Sequence, residues 1–352
     1  MNCCPDCFTD KEIQKIISRN DHYGTCECCG KERTRIHKAT DNDSIGLVLN
    51  NIIELYVVAD PVDGAKMLHQ ALKEDWEIFQ IDQDRLMELV KHLCQTLYFD
   101  RQELFTNPVL IPQCTDMDYL KEFNITRGKS WREFAETIKF ENRYFNDIFN
   151  KDALASFLTY SVKTYHAGTQ MYRARICKEI SGYPKEEVGA PPKDKRSGGR
   201  VNPEGVGILY LSSTRETALY EVRSAVHDFV TIGQFILKND IKVVDLTHLN
   251  MISPVLFAEP EDLIRYAANQ RCLKDIGNEI SKPMRRSDSP LEYIPTQMIS
   301  EFIKSANYAG VQYASTMTKD GVNLAVFDES CFECVSVSVC TIDELTYRYS
   351  EH

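Results

Sequence analysis

The chain has 352 residues, 43% apolar and 26% charged, a balance that fits a globular protein with a sizeable core and excludes a disordered or fibrous chain. Its formal net charge of -11 excludes a global basic footprint for nucleic acid or anionic membrane. The apolar runs fall short of the ~20 residues a membrane helix needs, and at roughly 100–200 residues per domain the length predicts two or three domains.

The first segment is rich in cysteine. Six of the 13 cysteines lie before residue 30. The opening MNCCPDC has no charged-then-apolar leader pattern, so a cytoplasmic location is expected. In that setting crowded cysteines point to metal before disulfides. Cys4-x2-Cys7 and Cys26-x2-Cys29 stand 18 residues apart, within the spacing of a four-cysteine zinc site. Each pair can present two thiolates from a tight turn, and four thiolates leave no open position, so the zinc would be structural. Cys3 and Cys28 are spare. A zinc ribbon is expected over residues 1–38.

Residues 39–158 read as an α-helical domain. SIGLVLNNIIELYVVA has apolar residues at helical spacing and is broken at Asp60-Pro61. DGAKMLHQALKEDW, DRLMELVKHLCQTLYF and SWREFAETIKFENRYF continue the period, and TNPVLIPQCTD reads as a loop between two of them. No fixed repeat is present. Arg85 and His92 are seven apart, two helical turns, and so share a face. That spacing occurs in one family of helical ribonucleases, but such pairs are common by chance in charged helices, and a solvated helix face is the favoured reading.

From residue 159 the pattern turns to short β-type runs: TQMYRARI, GILYLSS, TIGQFILK, IKVVDLT, GVQYAS, NLAVF and ECVSVSV. Helices are expected from Glu216, from about Glu261 and from Pro295. Strands and helices that mix without strict alternation predict an α+β fold. The loop SGYPKEEVGAPPKDKRSGGR is long enough to suggest function. The glycines of GGRVNPEGVG precede a strand, whereas the dinucleotide-binding fingerprint follows one, which excludes a Rossmann turn.

Two glutamates sit at the helix that follows this loop. Ser213-Thr214-Arg215-Glu216 matches a capping box, which gives Glu216 a structural task. Glu221 lies at the edge of a stripe formed by Ala218, Leu219, Val222, Ala225 and Val226. A carboxylate there is either a boundary residue or the wall of a cleft.

The stretches YRARI, GGRVNPEGVGILYLSSTRETALYEV, DLT, YIPTQMISEFIKSANYAGVQYAS and GVNLAVF, in this order, resemble the RES domain, named for an arginine, a glutamate and a serine. The resemblance covers roughly residues 165–335 and implies an ADP-ribosyltransferase-like fold over residues 159–352. It also implies a toxin or defence effector that destroys cellular NAD by cleaving the nicotinamide–ribose bond, with water or phosphate as acceptor. On this reading Arg173, Glu221 and Ser315 are catalytic. Arg173 grips a pyrophosphate oxygen, Tyr210 stacks on nicotinamide, and Arg175 and Arg200 are alternative cationic contacts. NAD is substrate and zinc the only cofactor. The N-terminal parts resemble an extension of some RES proteins named for the HEPN helical fold.

Other readings assign ADP-ribosyl transfer to a protein, or a ribonuclease built on the zinc ribbon, Arg85, His92 and the basic stretch KERTRIHK. The acidic balance argues against a nucleic-acid partner. The resemblance further implies a helix-turn-helix antitoxin as partner, unless the N-terminal domains themselves restrain the activity. A homo-oligomer is expected, and no membrane.

Overall fold

The structure is a computed structural model that describes residues 1–41, 43–60, 64–249, 251–282 and 289–345. Its contacts divide the chain into two units. One comprises residues 1–128 and 251–271; the other comprises residues 129–250 and 272–352.

In the first unit two short antiparallel pairs frame the cysteine segment: Asn2–Cys3 with His37–Lys38, and Tyr23–Gly24 with Thr34–Arg35. The helix Lys11–Ser18 is capped by Asp10, whose carboxylate accepts from the Glu12 and Ile13 amides. The helices Ser44–Glu54, Leu68–Glu74 and Gln83–Leu93 follow. Asp43 and Asp82 cap the first and third of these by accepting backbone amides that otherwise lack partners. Leu49, Ile52, Leu89 and Leu93 are fully buried.

The expected helices are interrupted. Val57–Val58 and Lys66–Met67 flank Pro108–Leu110 in a three-stranded sheet, so part of the expected 106–116 loop is strand. The break expected at Pro61 lies outside the described residues.

The second unit is built on an eight-stranded sheet. Its strands are β1 Val162–Tyr165, β2 Gln170–Cys177, β3 Leu209–Ser212, β4 Phe229–Leu237, β5 Ile241–Asp245, β6 Gly310–Ala314, β7 Val322–Val326 and β8 Phe332–Thr341. They lie in the order β8-β4-β2-β3-β7-β6-β5-β1. Only β5 and β6 run parallel; every other neighbouring pair is antiparallel. This is the expected α+β architecture, and seven of the eight strands fall on runs of strand composition.

Three helices matter to the site: α1 Arg215–Glu221, α2 Pro260–Ser281 and α3 Ile294–Ser305. Residues Cys272–Ser281 of α2 belong to this unit. Leu209, Leu211, Phe235, Val243, Leu324 and Val326 form a core on one side of the sheet. Ala174, Val230 and Ile232 pack with Ala218 of α1 on the other. Residues 129–158, whose helical period groups them in sequence with the preceding segment, pack here. Phe149 lies edge-on to Phe302 of α3 at 5.6 Å. Among the described residues, no helix is long and apolar enough to cross a membrane.

The α1 helix begins at Arg215, one residue before the expected Glu216, and its cap falls one residue after the expected Ser213. Ser213 is not its cap: the Ser213 amide donates to the Val322 carbonyl, and its hydroxyl accepts from the Val322 amide at 3.1 Å. The β3–β7 ladder consumes both groups. Thr214 caps instead, its hydroxyl accepting from the Thr217 amide at 3.0 Å. Glu216 is therefore an exposed first-turn residue with no capping box. The helix also ends early. Ala225 and Val226 lie beyond it, because Arg223 adopts φ +51° and the Asp228 carboxylate accepts from the Ala225 amide at 2.7 Å.

Candidate active site

Strand register sets the floor of the site. Tyr172, Ser212, Asn323 and Tyr313 are paired across β2, β3, β7 and β6 in one continuous row. Paired residues in a sheet project to the same face, so three polar types and one more phenol stand side by side where a core would carry aliphatic residues. Glu221, the last residue of α1, reaches this row.

Glu221 Oε1 accepts from the Ser315 hydroxyl at 2.6 Å and from the Asn323 side-chain amide at 2.7 Å. Asn323 Oδ1 accepts in turn from the Ser212 hydroxyl at 2.8 Å. Ser315 Oγ also accepts from the Met317 amide at 3.2 Å. Glu221 Oε2 has no hydrogen-bond donor among the described residues. One carboxylate oxygen is thus held and the other is not.

A cavity of about 510 Å³ opens beside this carboxylate. It is lined by Glu221, Asn323, Tyr313 and Tyr210, by Arg173 and Arg200, and by the loop from Ser197 to Asn202. Its size fits a ligand of small-molecule dimensions. Among the described residues, all of its lining belongs to the second unit.

Arg173 on β2 donates from Nη1 to the Tyr210 carbonyl at 3.3 Å. Its Nε is buried with no partner among the described residues. A buried donor of this kind costs stability unless something accepts from it. Burial, with Arg175 nearby, pulls the Arg173 guanidinium below its ordinary value. Arg175 is engaged elsewhere: it donates to the Glu187 carbonyl at 2.5 Å and stacks 3.9 Å from the Tyr183 ring centroid. The Arg200 guanidinium lies 5.0 Å from the Tyr293 ring centroid.

The long loop is shaped by Asn202. Its amide donates to the carbonyls of Ser197, Pro203 and Val206, and its Oδ1 accepts from the Tyr210 hydroxyl at 2.7 Å. Gln297 of α3 adds bonds to the carbonyls of Gly199 and Asn202, at 2.8 and 3.0 Å. Gly199 has to be glycine or nearly so, since a Cβ there would lie 3.0 Å from Asn202 Oδ1 and 3.1 Å from the Tyr210 hydroxyl. Burial pushes the Tyr210 phenol well above its ordinary value. Burial does the same at Tyr313, with Tyr210 and Glu221 adding to it.

The predicted residues are therefore brought together unequally. Glu221, Arg173, Arg200 and Tyr210 line one cavity. Ser315 is buried behind it and bonds Glu221 rather than facing the cavity. Asn323, Asn202, Gln297 and Tyr313 were not singled out by sequence. Asn323 and Ser212, two polar residues in otherwise apolar strands, were the available signal.

The first unit holds a second cluster. The sulfurs of Cys4, Cys7, Cys26 and Cys29 all lie within 4.8 Å of one another. The Cys4–Cys7 distance is 3.8 Å, and Cys4–Cys29 and Cys7–Cys26 are both 3.5 Å. Four sulfurs about 2.3 Å from a tetrahedral Zn²⁺ stand about 3.8 Å apart, so the donor set fits zinc. Cys3 is turned away to the His37 carbonyl, 3.6 Å off. Arg85 and His92 share the helix Gln83–Leu93. Arg85 is bonded to the Cys28 carbonyl at 2.8 Å and paired with Asp82 at 3.2 Å, a task of holding the cysteine turn.

The fold and the site define an α+β domain that sets a helix-terminal carboxylate and an arginine in one cleft. The family model of the RES domain matches residues 171–350, just over half of the chain, and the chain belongs to that family. No curated protein matches it. Among solved structures, a chain of the M. tuberculosis MbcT–MbcA toxin–antitoxin complex aligns at 12% identity. The alignment covers 53% of this chain and 92% of that one, with a TM-score of 0.32.

Proposed function

We propose that this chain consumes NAD by cleaving the bond between nicotinamide and ribose, and that it acts as a toxin or defence effector by doing so. The observation that carries the reading is the pinned carboxylate. Glu221, which lines the cavity, is held through Oε1 by Ser315 and Asn323, while Oε2 has no donor among the described residues. Bond cleavage builds positive charge on the ribose, and a preorganised carboxylate stabilises charge that appears only in the transition state.

Arg173 supplies the complementary end. It lines the same cavity and its Nε has no partner among the described residues, and a guanidinium suits a pyrophosphate oxygen. Tyr210, tied at its hydroxyl to Asn202, offers its ring to nicotinamide. Water as acceptor releases nicotinamide and ADP-ribose; inorganic phosphate releases nicotinamide and a phosphorylated ADP-ribose.

The test is incubation of purified chain with NAD, with and without phosphate, followed by chromatography of the products. Nicotinamide release supports the reading, and the partner product identifies the acceptor. Intact NAD in both reactions overturns it.

We also assign Cys4, Cys7, Cys26 and Cys29 to one structural zinc ion. Their sulfur spacing supports the assignment, and the four thiolates leave no position open for substrate.

A further inference from the structure

Asn323 is an unusual residue for its place. It sits inside β7, a strand of the sequence Val-Asn-Leu-Ala-Val, and is only 5% exposed. Asparagine is disfavoured in strands, and a buried amide costs stability unless both its ends are bonded. Here both ends are bonded, and to functionally different groups. Oδ1 accepts from Ser212, and Nδ2 donates to Glu221.

The direction of this chain is forced. An ionised carboxylate can only accept, so the amide must turn Nδ2 toward Glu221. Oδ1 then faces Ser212, which must donate. The hydrogen bonds run one way, from Ser212 through Asn323 to Glu221, and bonds aligned in this manner polarise one another. The backbone makes no other demand on Asn323: its strand pairing to Ser212 and Tyr313 needs only peptide groups. Residues of α1 alone cannot hold Glu221. It is the last residue of a seven-residue helix, where ends fray.

We propose that Asn323 is a positioning residue for Glu221: its amide, oriented by the Ser212 hydroxyl, clamps one carboxylate oxygen so that the other is presented to the ribose of the substrate. This rests on the reading of Glu221 as the catalytic carboxylate. It adds a residue, and a direction of hydrogen bonding, that the arginine–glutamate–serine signature does not contain.

The test uses the full chain and three variants, Asn323→Asp, Ser212→Ala and Glu221→Gln, with kcat and KM for NAD measured from pH 5 to 9. Asn323→Asp keeps the shape, replaces the donor by an acceptor, and sets a second carboxyl against Glu221. Two carboxyls at hydrogen-bond distance share a proton. The expected result is that the acidic limb of the kcat profile moves up by about one pH unit or more. At neutral pH kcat falls about 10- to 100-fold, as for the loss of a hydrogen bond to a charged group, while KM changes less than kcat. The other ionisable groups in the cavity are phenols (Tyr172, Tyr210, Tyr313), guanidinium groups (Arg173, Arg200, Arg223) and the Lys282 ammonium. None of these is a carboxyl or an imidazole, so a moved acidic limb reports the carboxyl pair.

Ser212→Ala frees the amide to rotate and should lower kcat less than Asn323→Asp, with the acidic limb in place. It serves as the second variant where Asn323→Asp is poorly folded. A purely structural Asn323 would lower the thermal midpoint and leave limb and kcat at the wild-type values, which overturns the inference. The same holds if Ser212→Ala leaves kcat unchanged. Glu221→Gln separates the two failures. If it is inactive while Asn323→Asp keeps the wild-type profile, only this inference falls; if Glu221→Gln keeps the wild-type rate, the catalytic reading falls and takes this one with it.

Discussion

Glu221→Gln should abolish NAD consumption while leaving the fold intact, and the structure says why that substitution is the clean one. The glutamine Oε1 can still accept from Ser315 and Asn323, now at 2.6 and 2.7 Å from Glu221 Oε1. The held end of the side chain therefore stays where it is. What changes is the other end, where a neutral amide replaces the oxygen that has no donor. The loss is of charge alone, at the point where the ribose becomes positive. Removing one preorganised group of this kind costs about 10²–10³ in kcat, or about 2.7–4 kcal/mol of transition-state stabilisation. Glu221→Ala is a worse experiment, because it strands the Ser315 hydroxyl and the Asn323 amide. An unsatisfied donor costs about 1–3 kcal/mol when buried, and the variant would lose stability together with activity. Glu216→Gln is the control. Glu216 is an exposed first-turn residue whose charge favours the helix N-terminus by about 0.3–1 kcal/mol, too little to move the rate. The assay is NAD concentration against time with each purified variant, with circular dichroism to compare folding. Wild-type NAD loss by Glu221→Gln would refute the reasoning.

Three further outcomes are expected. Arg173→Lys keeps a charge but loses the planar fork and Nε, so kcat/KM should fall about 10- to 100-fold; a change below threefold in steady-state kinetics argues against an anion contact at Arg173. Purified protein should carry about one zinc per chain by elemental analysis, and Cys26→Ser should lose it; stoichiometric metal retained by that variant rejects the assigned ligand set. Above pH 10 the second unit should lose stability in denaturant titrations. Tyr165 is pushed up to about 12 by burial and the nearby Asp245, and Tyr210 is pushed up by burial. A phenol whose folded-state value is raised binds its proton more tightly when folded, so its contribution is full below the ordinary value of about 10 and declines as pH rises above it. A flat stability profile from pH 9 to 12 contradicts these burials.

Much of the second unit was legible because its strands declare themselves. Runs such as TIGQFILK and IKVVDLT carry dense β-branched and aromatic residues between turn signals, and β4 and β5 fall on them. The edge strand Val162–Tyr165 did not declare itself. It alternates exposed and half-exposed residues and exists because β5 offers it a partner. In the first unit helical spacing was real but misleading at its ends. Val57–Val58 completes an apolar helical pattern in sequence and forms a strand against Pro108–Leu110 in space, a case of tertiary pairing overriding local period.

The proposed reacting groups Arg173, Glu221 and Tyr210 come from the resemblance to the RES domain, and what holds them was not legible. The holding groups are amides and hydroxyls that read as flaws in a strand or as loop polarity. Ser212 and Asn323 lie 111 residues apart, and only the β3–β7 register pairs them. Glu221 itself was ambiguous for a related reason. The apolar spacing carried the helix past it to Val226, which makes it a mid-helix boundary residue. The helix instead stops there, because the Asp228 carboxylate ties down the Ala225 amide and so favours a turn over another helical round. That stop changes the chemistry. A mid-helix glutamate would lie along the helix flank, whereas a terminal one can extend over the sheet to Asn323 and Ser315. The carboxylate is therefore placed by a turn that follows it and by a strand 102 residues away, and neither influence is written in the helix that carries it.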